Sequence, residues 1–466
     1  MQKYARSIEE VSITCTPQPS SAIAQTSYFR LAQLQGTSPL FPNLFRLSID
    51  VTHSSSNFYT HIPIFLSPRL TSLTLGRLGQ GGWASATSFL LMLGPQRTLF
   101  HLSLDGFSLS PAVLKAITGC GELNKIELTN VGGTLTQPTL HTLFSMPSLI
   151  NITFHTKSQV YSTSESVEAL LPGSARLTSL RLTGPFKMLA EWTKYFSSSG
   201  CDLQTLSLEV TKRIEVTKRI IERPGGRKVG KISRQYETTS PAEIDTLIRE
   251  AVTAWRQSLS NFQVESDHPI HGALLPTFLD AFSGFNNLEI LKVTDITLGD
   301  MNAALLRNMC YWPSLTCLHL PRVNFGEIDC TISMETLRHL AENCPRLTFL
   351  RVLMHNPKED SFSAIASTGV CFPYVHTLSV GTWPESVPGG TAELSPPLSD
   401  ISDKASQQPT SSVKQFCSIA RDLLRVFPRL RTLETHQSLS EGIWGDVKAL
   451  VDLCRESEEC SKALSN

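Results

Sequence analysis

The chain has 466 residues, and its 41 basic and 41 acidic side chains cancel, so net charge predicts neither nucleic acid nor membrane as partner. Eleven scattered cysteines without a Cys-x-x-Cys pair exclude a secreted disulfide scaffold, a zinc ribbon and a thioredoxin-like redox motif. The amino terminus has no apolar signal-peptide core, and the longest apolar run, FLLML at 89–93, is far below the roughly 20 residues that span a bilayer. We expect a soluble, reduced protein of the cytoplasm, the nucleus or both.

One phrase recurs along the whole chain, as in FPNLFRLSI (41–49), SPRLTSLTL (67–75) and NCPRLTFLRV (343–352). Its form is L-x-x-L-x-L, and SIEEVSI (7–13) reads as a degraded first copy. The first leucine-type position falls at Leu44, Leu70, Leu99, Leu123, Leu149, Leu177, Leu203, Leu259, Leu288, Leu315, Leu347, Val375 and Leu430. The early copies are 24 to 29 residues apart, which is the period of leucine-rich repeats.

The alternation inside each phrase predicts a strand, because Leu47 and Ile49 alternate with polar neighbours at period two. The segments that follow, such as 110–120 and 333–344, have helical spacing. Ser110-Pro111 is a typical helix start, and Ser240 with Glu243 forms a capping-box pattern. We predict an α/β leucine-rich repeat solenoid over residues 1–466, with about 13–15 repeats. It would be a right-handed horseshoe with parallel strands on the concave face and helices on the convex face.

Three cysteines, Cys120, Cys201 and Cys344, stand just before predicted strands. A small apolar group packs well at such a position, so we predict a structural role for these thiols rather than a reactive one.

The pattern breaks at 209–240, where EVTKRI occurs twice in tandem and is followed by IERPGGRKVGKISR. Residues 212–234 hold nine basic and two acidic side chains. The β-branched residues of this insertion alternate with polar ones, which predicts a hairpin that turns at 224–226. Anion binding would use Lys212, Arg213, Lys218, Arg219, Arg227, Lys228 and Lys231. No aromatic residues are interleaved for base stacking.

A phosphate-loop pattern, G-x-x-x-x-G-K, occurs at 225–231 inside this insertion. Ile232 occupies the place where such a loop needs a magnesium-binding Ser or Thr, and the following residues are poor helix formers. We therefore reject nucleotide binding. With no hydrolase or metalloprotease motif either, we expect no enzyme, no catalytic or metal-binding residues and no cofactor.

Two features are predicted near the carboxyl terminus. Residues 385–412 are rich in Pro, Ser and Gly and predict a disordered loop. Residues 446–464 have apolar side chains at helical spacing and predict a terminal helix that covers the end of the solenoid.

The polar residues that alternate with the leucines would line the concave face, the usual recognition surface of a solenoid. The candidate protein-binding residues are Arg46, Asp50, His101, Asp105, Lys125, Glu127, His155, Arg181, Glu209, Ile290, Lys292, His319, Phe349, Arg351 and Leu353. Among these, Ile290, Phe349, Arg351 and Leu353 have the composition of an interface hot spot, in which apolar side chains lie beside an arginine.

The repeat period, the Cys-Pro-x-Leu entry and the helical connections resemble the leucine-rich repeat regions of F-box proteins, above all those of mushroom-forming fungi. In that family an F-box docks the chain on a cullin-type ubiquitin ligase, and the repeats hold the substrate. YARSIEEVSI (4–13) is similar to the segment that follows the F-box, and we find no F-box in this sequence. The resemblance therefore implies the substrate-holding role alone.

Our leading hypothesis is a non-catalytic, monomeric scaffold that holds a protein substrate on its concave face. A ligase adaptor subunit would join it only if an F-box lies upstream. The alternatives are an orphan scaffold without a ligase, or binding of nucleic acid or acidic lipid through residues 212–234.

Overall fold

A computed structural model describes residues 5–15, 39–51, 58–76, 80–107, 109–130, 142–155, 176–198, 200–211, 214–222, 228–236, 240–267, 276–294, 296, 302–320, 332–354, 362–381, 410–436 and 443–465. The chain divides into two compact units, Met1–Glu237 and Thr238–Asn466. We describe each unit separately, and the prediction of one continuous solenoid over 1–466 stays a prediction.

The first unit contains a parallel sheet whose eight strands follow one another in chain order. The strands are β1 Glu10–Cys15, β2 Arg46–Val51, β3 Ser72–Gly76, β4 His101–Asp105, β5 Lys125–Thr129, β6 Asn151–His155, β7 Ser179–Gly184 and β8 Thr205–Val210. Each repeat therefore contributes one strand, and that strand pairs with the strand of the preceding repeat.

The register aligns the same motif position in every repeat. Leu47 pairs with Leu73, and Leu73 pairs with Leu102. These three side chains are fully buried, whereas the residues before and after each of them in its strand are not. Because side chains alternate across a strand, one face of the sheet is lined mainly by leucine and the other is polar.

Helices of the first unit pack on the leucine side. They are α1 Gln80–Leu93, α2 Pro111–Gly119 and α3 Phe186–Ser197, with 3₁₀ helices at Phe58–Phe65 and Gly94–Gln96. The ring of Phe154 on β6 lies 4.7 Å from that of Trp192 on α3, edge to face. Ser110 caps α2 by accepting a hydrogen bond from the backbone N–H of Val113, as its sequence position predicts.

Two antiparallel strands, β9 Ile214–Glu222 and β10 Lys228–Tyr236, follow β8 in the basic insertion. Ile214 pairs with Tyr236, and Glu222 pairs with Lys228. The insertion thus forms a hairpin separate from the parallel sheet, and its predicted turn at 224–226 lies outside the described residues.

The second unit repeats the architecture of the first. Its parallel strands, again in chain order, are β11 Asn261–Ser266, β12 Ile290–Thr294, β13 Cys317–His319, β14 Phe349–Leu353, β15 Thr377–Gly381 and β16 Thr432–His436. Its helices are α4 Pro241–Ala254, α5 Asn302–Asn308, α6 Met334–Asn343, α7 Ser363–Ser367, α8 Thr410–Val426 and α9 Ile443–Ser465, with 3₁₀ helices at Pro276–Phe282 and Met309–Tyr311. The predicted α/β leucine-rich repeat solenoid fold is confirmed.

Helix boundaries in this unit follow local chemistry. The Ser240 side chain accepts a hydrogen bond from the Glu243 N–H, and the Glu243 carboxylate accepts one from the Ser240 N–H, which completes the predicted capping box. Helix α9 includes the predicted 446–464 segment and packs on β16 and α8. The last three residues of the predicted loop, 410–412, belong to α8, which begins at Thr410. Residues 385–409 of that loop lie outside the described residues.

The three cysteines are buried, as predicted, and their thiols donate to helix carbonyls. Cys120 Sγ lies 3.5 Å from the Ala116 oxygen, and Cys344 Sγ lies 4.0 Å from the Met309 oxygen. Burial raises the pKa of Cys120 to about 11 and that of Cys344 to about 12. Thiols with pKa values this high are unreactive at neutral pH. None of the described helices is long and apolar enough to cross a membrane.

Replacing Leu102, a fully buried residue on the leucine-lined face of the sheet, tests this packing. Leu102→Ala is expected to lower the free energy of unfolding by about 2–5 kcal/mol, because it removes buried methyl groups and leaves a cavity. The neighbouring Ser103→Ala, on the half-exposed face, should change it by less than about 0.5 kcal/mol. Urea denaturation followed by circular dichroism measures both, and equal losses would contradict the assignment of faces.

Candidate functional site

The polar face of each sheet carries nearly all the residues that the sequence analysis proposed for recognition. We call it the open face and define it by strand positions one, three and five. In β2 these are Arg46, Ser48 and Asp50. The register aligns equal positions of successive strands, so each position forms a row across the sheet.

A charged cluster lies on the open face of the first unit, on β3, β4 and β5. The Lys125 ammonium lies 2.7 Å from Glu127 Oε1, and His101 Nε2 lies 3.6 Å from Glu127 Oε2. On its other side, His101 Nδ1 lies 3.2 Å from the Ser72 hydroxyl. The structure thus brings together three predicted residues, His101, Lys125 and Glu127, and adds Ser72.

This cluster lowers the pKa of Glu127 to about 2. The largest cause is the facing His101 ring, followed among the stabilising contacts by Lys125, and burial opposes them by raising the pKa. At 3.6 Å the His101–Glu127 pair is at ion-pair distance and longer than a hydrogen bond, so we regard Lys125 as the partner that fixes the carboxylate.

The order Ser72, His101, Glu127 is that of a nucleophilic triad, but the geometry does not activate the serine. In a working triad the carboxylate is hydrogen-bonded to the imidazole. Here the carboxylate is bound by the Lys125 ammonium instead and stands 3.6 Å from the ring. The cluster is an ion-pair network on the open face.

The remaining predicted residues of the first unit form local pairs with adjacent strands. Arg46 contacts Glu10 at 2.9 Å, and Asp105 accepts hydrogen bonds from Thr129 and Asn130. These contacts satisfy the charges and define the shape of the face.

At the other end of this sheet, Glu209 accepts a hydrogen bond from the Thr183 hydroxyl at 3.0 Å. The Arg181 guanidinium lies 3.8 Å from the same carboxylate. His155 stands opposite Thr183 in the row at position five. The Asp50 carboxylate packs over Gly76, where a Cβ would meet it at 3.2 Å, so the glycine makes room for the acid.

In the second unit, three adjacent strands place apolar side chains side by side. Ile290, Cys317 and Phe349 occupy position one of β12, β13 and β14 and pair in register. All three are half-buried. We call them the apolar row. It includes two of the predicted hot-spot residues, and Cys317 completes it.

The row at position three lies beside the apolar row and consists of Lys292, His319 and Arg351. Lys292 is 4.0 Å from Glu265 on β11. His319, which we predicted to face a partner, is only 6% exposed in this chain, and its ring centroid lies 6.1 Å from that of Phe349. The two rings are tilted by 44° to each other.

Some predicted residues lie outside the described part of the structure. They are Lys212, Arg213 and Arg227 as a whole, and the side chains of Lys218, Arg219, Lys228, Lys231 and Leu353. In the hairpin, the backbone register pairs Arg219 with Lys231. Anion binding by this segment stays a prediction. Among the described residues, no group of three or more His, Cys, Asp or Glu side chains is placed to hold a metal ion.

Sequence reasoning missed the residues that flank the first leucine of each repeat, such as Phe45 and Phe100. They lie at the edge of the sheet where the strands begin, and Phe100 is 44% exposed. Large apolar residues next to a core leucine, outside the alternating motif, are the signal that identifies them.

Comparison with known proteins returned little. No family model and no curated protein matches the chain. Among solved structures, the leucine-rich repeat protein LIC12759 of Leptospira interrogans matches with 11% sequence identity and a TM-score of 0.32. The match covers 85% of this chain and 84% of that one. A similarity at this level carries no argument about function.

Glu127→Gln tests the charged cluster through the pH dependence of stability. The pKa of Glu127 is lowered in the folded state, so its contribution to stability is present above the unfolded pKa, about 4.5, and is lost as the pH falls towards 2. The wild type should therefore be more stable than the variant at pH 7, and the two should converge near pH 2. Urea midpoints measured between these pH values provide the comparison.

Glu122→Gln is the matched control, because Glu122 is exposed and forms no ion pair with the described residues. Its unfolding midpoint should follow that of the wild type at every pH. A constant difference between wild type and Glu127→Gln down to pH 2 would contradict the proposed ionisation.

Proposed function

We propose that the chain is a non-catalytic recognition scaffold that binds a protein partner on the open face of its second unit. The observation that carries this proposal is the apolar row. Ile290, Cys317 and Phe349 are half-buried neighbours on a sheet face whose other rows are mostly polar. Apolar side chains in such a place gain free energy when a partner covers them, at about 25 cal/mol per Å².

The surroundings of the apolar row support a protein partner rather than a small molecule. Basic side chains, Lys292 and Arg351, stand beside it in the neighbouring row. Thr377 and Asn261 continue the row in both directions with polar groups. An apolar centre with a polar surround is the composition of protein interfaces, and aromatic residues and arginine are enriched at their centres.

Backbone pairing makes this surface rigid. Ile290 pairs with Cys317 and Cys317 with Phe349, so the three side chains keep the spacing of adjacent strands, about 4.8 Å. A preformed surface loses little conformational entropy when a partner binds. Contacts with several strands at once therefore favour a folded or extended protein segment as the ligand.

The finer part of the proposal is that the partner is a substrate of a cullin-type ubiquitin ligase, and that binding occurs in the cytoplasm or the nucleus. Its support is the sequence resemblance to the repeat regions of F-box proteins. The adaptor subunit of the ligase would bind through an F-box encoded together with this chain.

Affinity capture with three forms of the full chain tests the proposal. The baits are wild type, the double variant Ile290→Asp with Phe349→Asp, and Thr432→Asp. Thr432 is an exposed residue at position one of β16, so it matches the strand position of the variants without belonging to the apolar row. A partner bound on the apolar row should be recovered with wild type and with Thr432→Asp, and reduced at least about tenfold with the double variant, since burying a carboxylate against apolar surface is costly.

Recovery of the same partner by all three baits would contradict the proposed surface. Loss of ubiquitination of the partner when this chain is depleted would support the ligase link. Unchanged ubiquitination would contradict the ligase link but not the proposed scaffold role. Circular dichroism of the purified variants confirms that each bait is folded.

A further inference from the structure

A groove of about 510 Å³ lies in the first unit at the edge where the strands begin. Most of the residues that line it occupy equivalent places in successive repeats, on either side of the first core leucine of each repeat. Asn43 and Phe45 flank Leu44, Arg69 and Thr71 flank Leu70, and Thr98 and Phe100 flank Leu99. The leucines are buried, so their neighbours point away from the core and outline the groove.

Two aromatic rings in the groove are separated by a small residue. Phe45 and Phe100 precede β2 and β4, and Thr71 precedes β3 between them. Hydrogen bonds from the N–H of Thr71 to the Phe45 oxygen and from the N–H of Phe100 to the Thr71 oxygen continue the ladder through this edge. Two strand spacings put the phenylalanines about 10 Å apart. The gap above Thr71 is wide enough for one aromatic or aliphatic side chain.

The charges of the groove are segregated. Arg69 and Arg97 lie near β3 and β4, are both exposed, and have no carboxylate partner among the described residues. Glu9 lies at the other end, beside β1. Arg46, by contrast, is paired with Glu10 at 2.9 Å and lies over the Phe45 ring at 5.8 Å. The two guanidinium groups without a carboxylate partner in the described part of the chain are therefore the ones next to the aromatic gap.

Local structure fixes the backbone of both arginines. Arg97 has φ = 50°, in the left-handed region, and its N–H is hydrogen-bonded to the Gly94 oxygen. A left-handed arginine costs free energy, so the turn imposes this conformation. The backbone N–H of Arg69 is bound by the Ser67 hydroxyl, which in turn donates to the Pro42 oxygen of the previous repeat. The Thr98 hydroxyl is buried and has no hydrogen-bond partner among the described residues.

We propose that this groove binds an acidic segment of a partner protein, with one aromatic or large aliphatic side chain between Phe45 and Phe100 and carboxylates on Arg69 and Arg97. Guanidinium groups bind carboxylates bidentately, and the aromatic walls supply apolar area. Glu9 repels an acidic group at the β1 end, so the segment lies with its carboxylates towards β4. The residues involved differ from those of the apolar row, and this proposal stands whether or not that row binds a partner.

Fluorescence anisotropy with the full chain tests the groove. The probe is a fluorescein-labelled peptide with a single phenylalanine between glutamates. Two matched peptides carry lysines in place of the glutamates, or alanine in place of the phenylalanine. The acidic phenylalanine peptide should bind the tightest of the three, and added salt should weaken its binding, because the contacts with Arg69 and Arg97 are ionic.

Matched variants locate the binding. Arg69→Gln and Arg97→Asn should each weaken binding about tenfold, the asparagine being chosen because it tolerates the left-handed backbone. Phe100→Ala should weaken it to a similar extent by removing one wall. Arg176→Gln and Ile150→Ala are the controls: these exposed residues flank Leu177 and Leu149 as Arg69 and Phe100 flank their own leucines, and they lie outside the groove.

Three outcomes would overturn the proposal. One is that the acidic peptide does not bind at low ionic strength, where charge contacts are strongest. Another is that the control variants weaken binding as much as the groove variants. The third is that a single-stranded RNA of equal charge binds more tightly than the peptide and is lost with the same groove variants, which would assign the groove to nucleic acid.

Discussion

In-register pairing of short parallel strands is the constraint on which the rest of this molecule depends. Each repeat forms a strand that binds the strand before it, and the common register places leucine beside leucine. A shift by one residue would turn every leucine to the polar face. The first leucines of the early repeats are 24 to 29 residues apart, yet their strands stay in register.

The same constraint leaves the outward positions free to vary, and we propose that function is located there. In the first unit these positions hold a network of opposite charges around Glu127. In the second they hold the apolar row of Ile290, Cys317 and Phe349. Two faces built on one backbone plan thus differ in chemistry, which fits scaffolds whose specificity is set by side chains on a fixed frame. The groove is also lined by residues that vary between repeats. Phe45, Thr71 and Phe100 each stand one residue before a strand begins.

Much of the open face could be predicted by reading alternate residues, since a strand has a strict period of two. That reasoning placed Ile290 and Phe349 on the same face before any coordinates. Alternate reading also puts Cys317 on this face, and the register shows that it lies between the other two. That reading did not show that His319, at position three of β13, is buried.

By itself the sequence determined the repeat, the strand faces, the capped helix starts at Ser110 and Ser240, and the structural role of the buried cysteines. These are local properties, set by spacing along the chain. Only the tertiary structure decided which residues from different repeats become neighbours: the approach of His101 to Glu127, the apolar row across three strands, and the groove between Phe45 and Phe100. Such contacts join residues about one repeat or more apart, and their geometry is fixed by strand pairing, which no local pattern encodes.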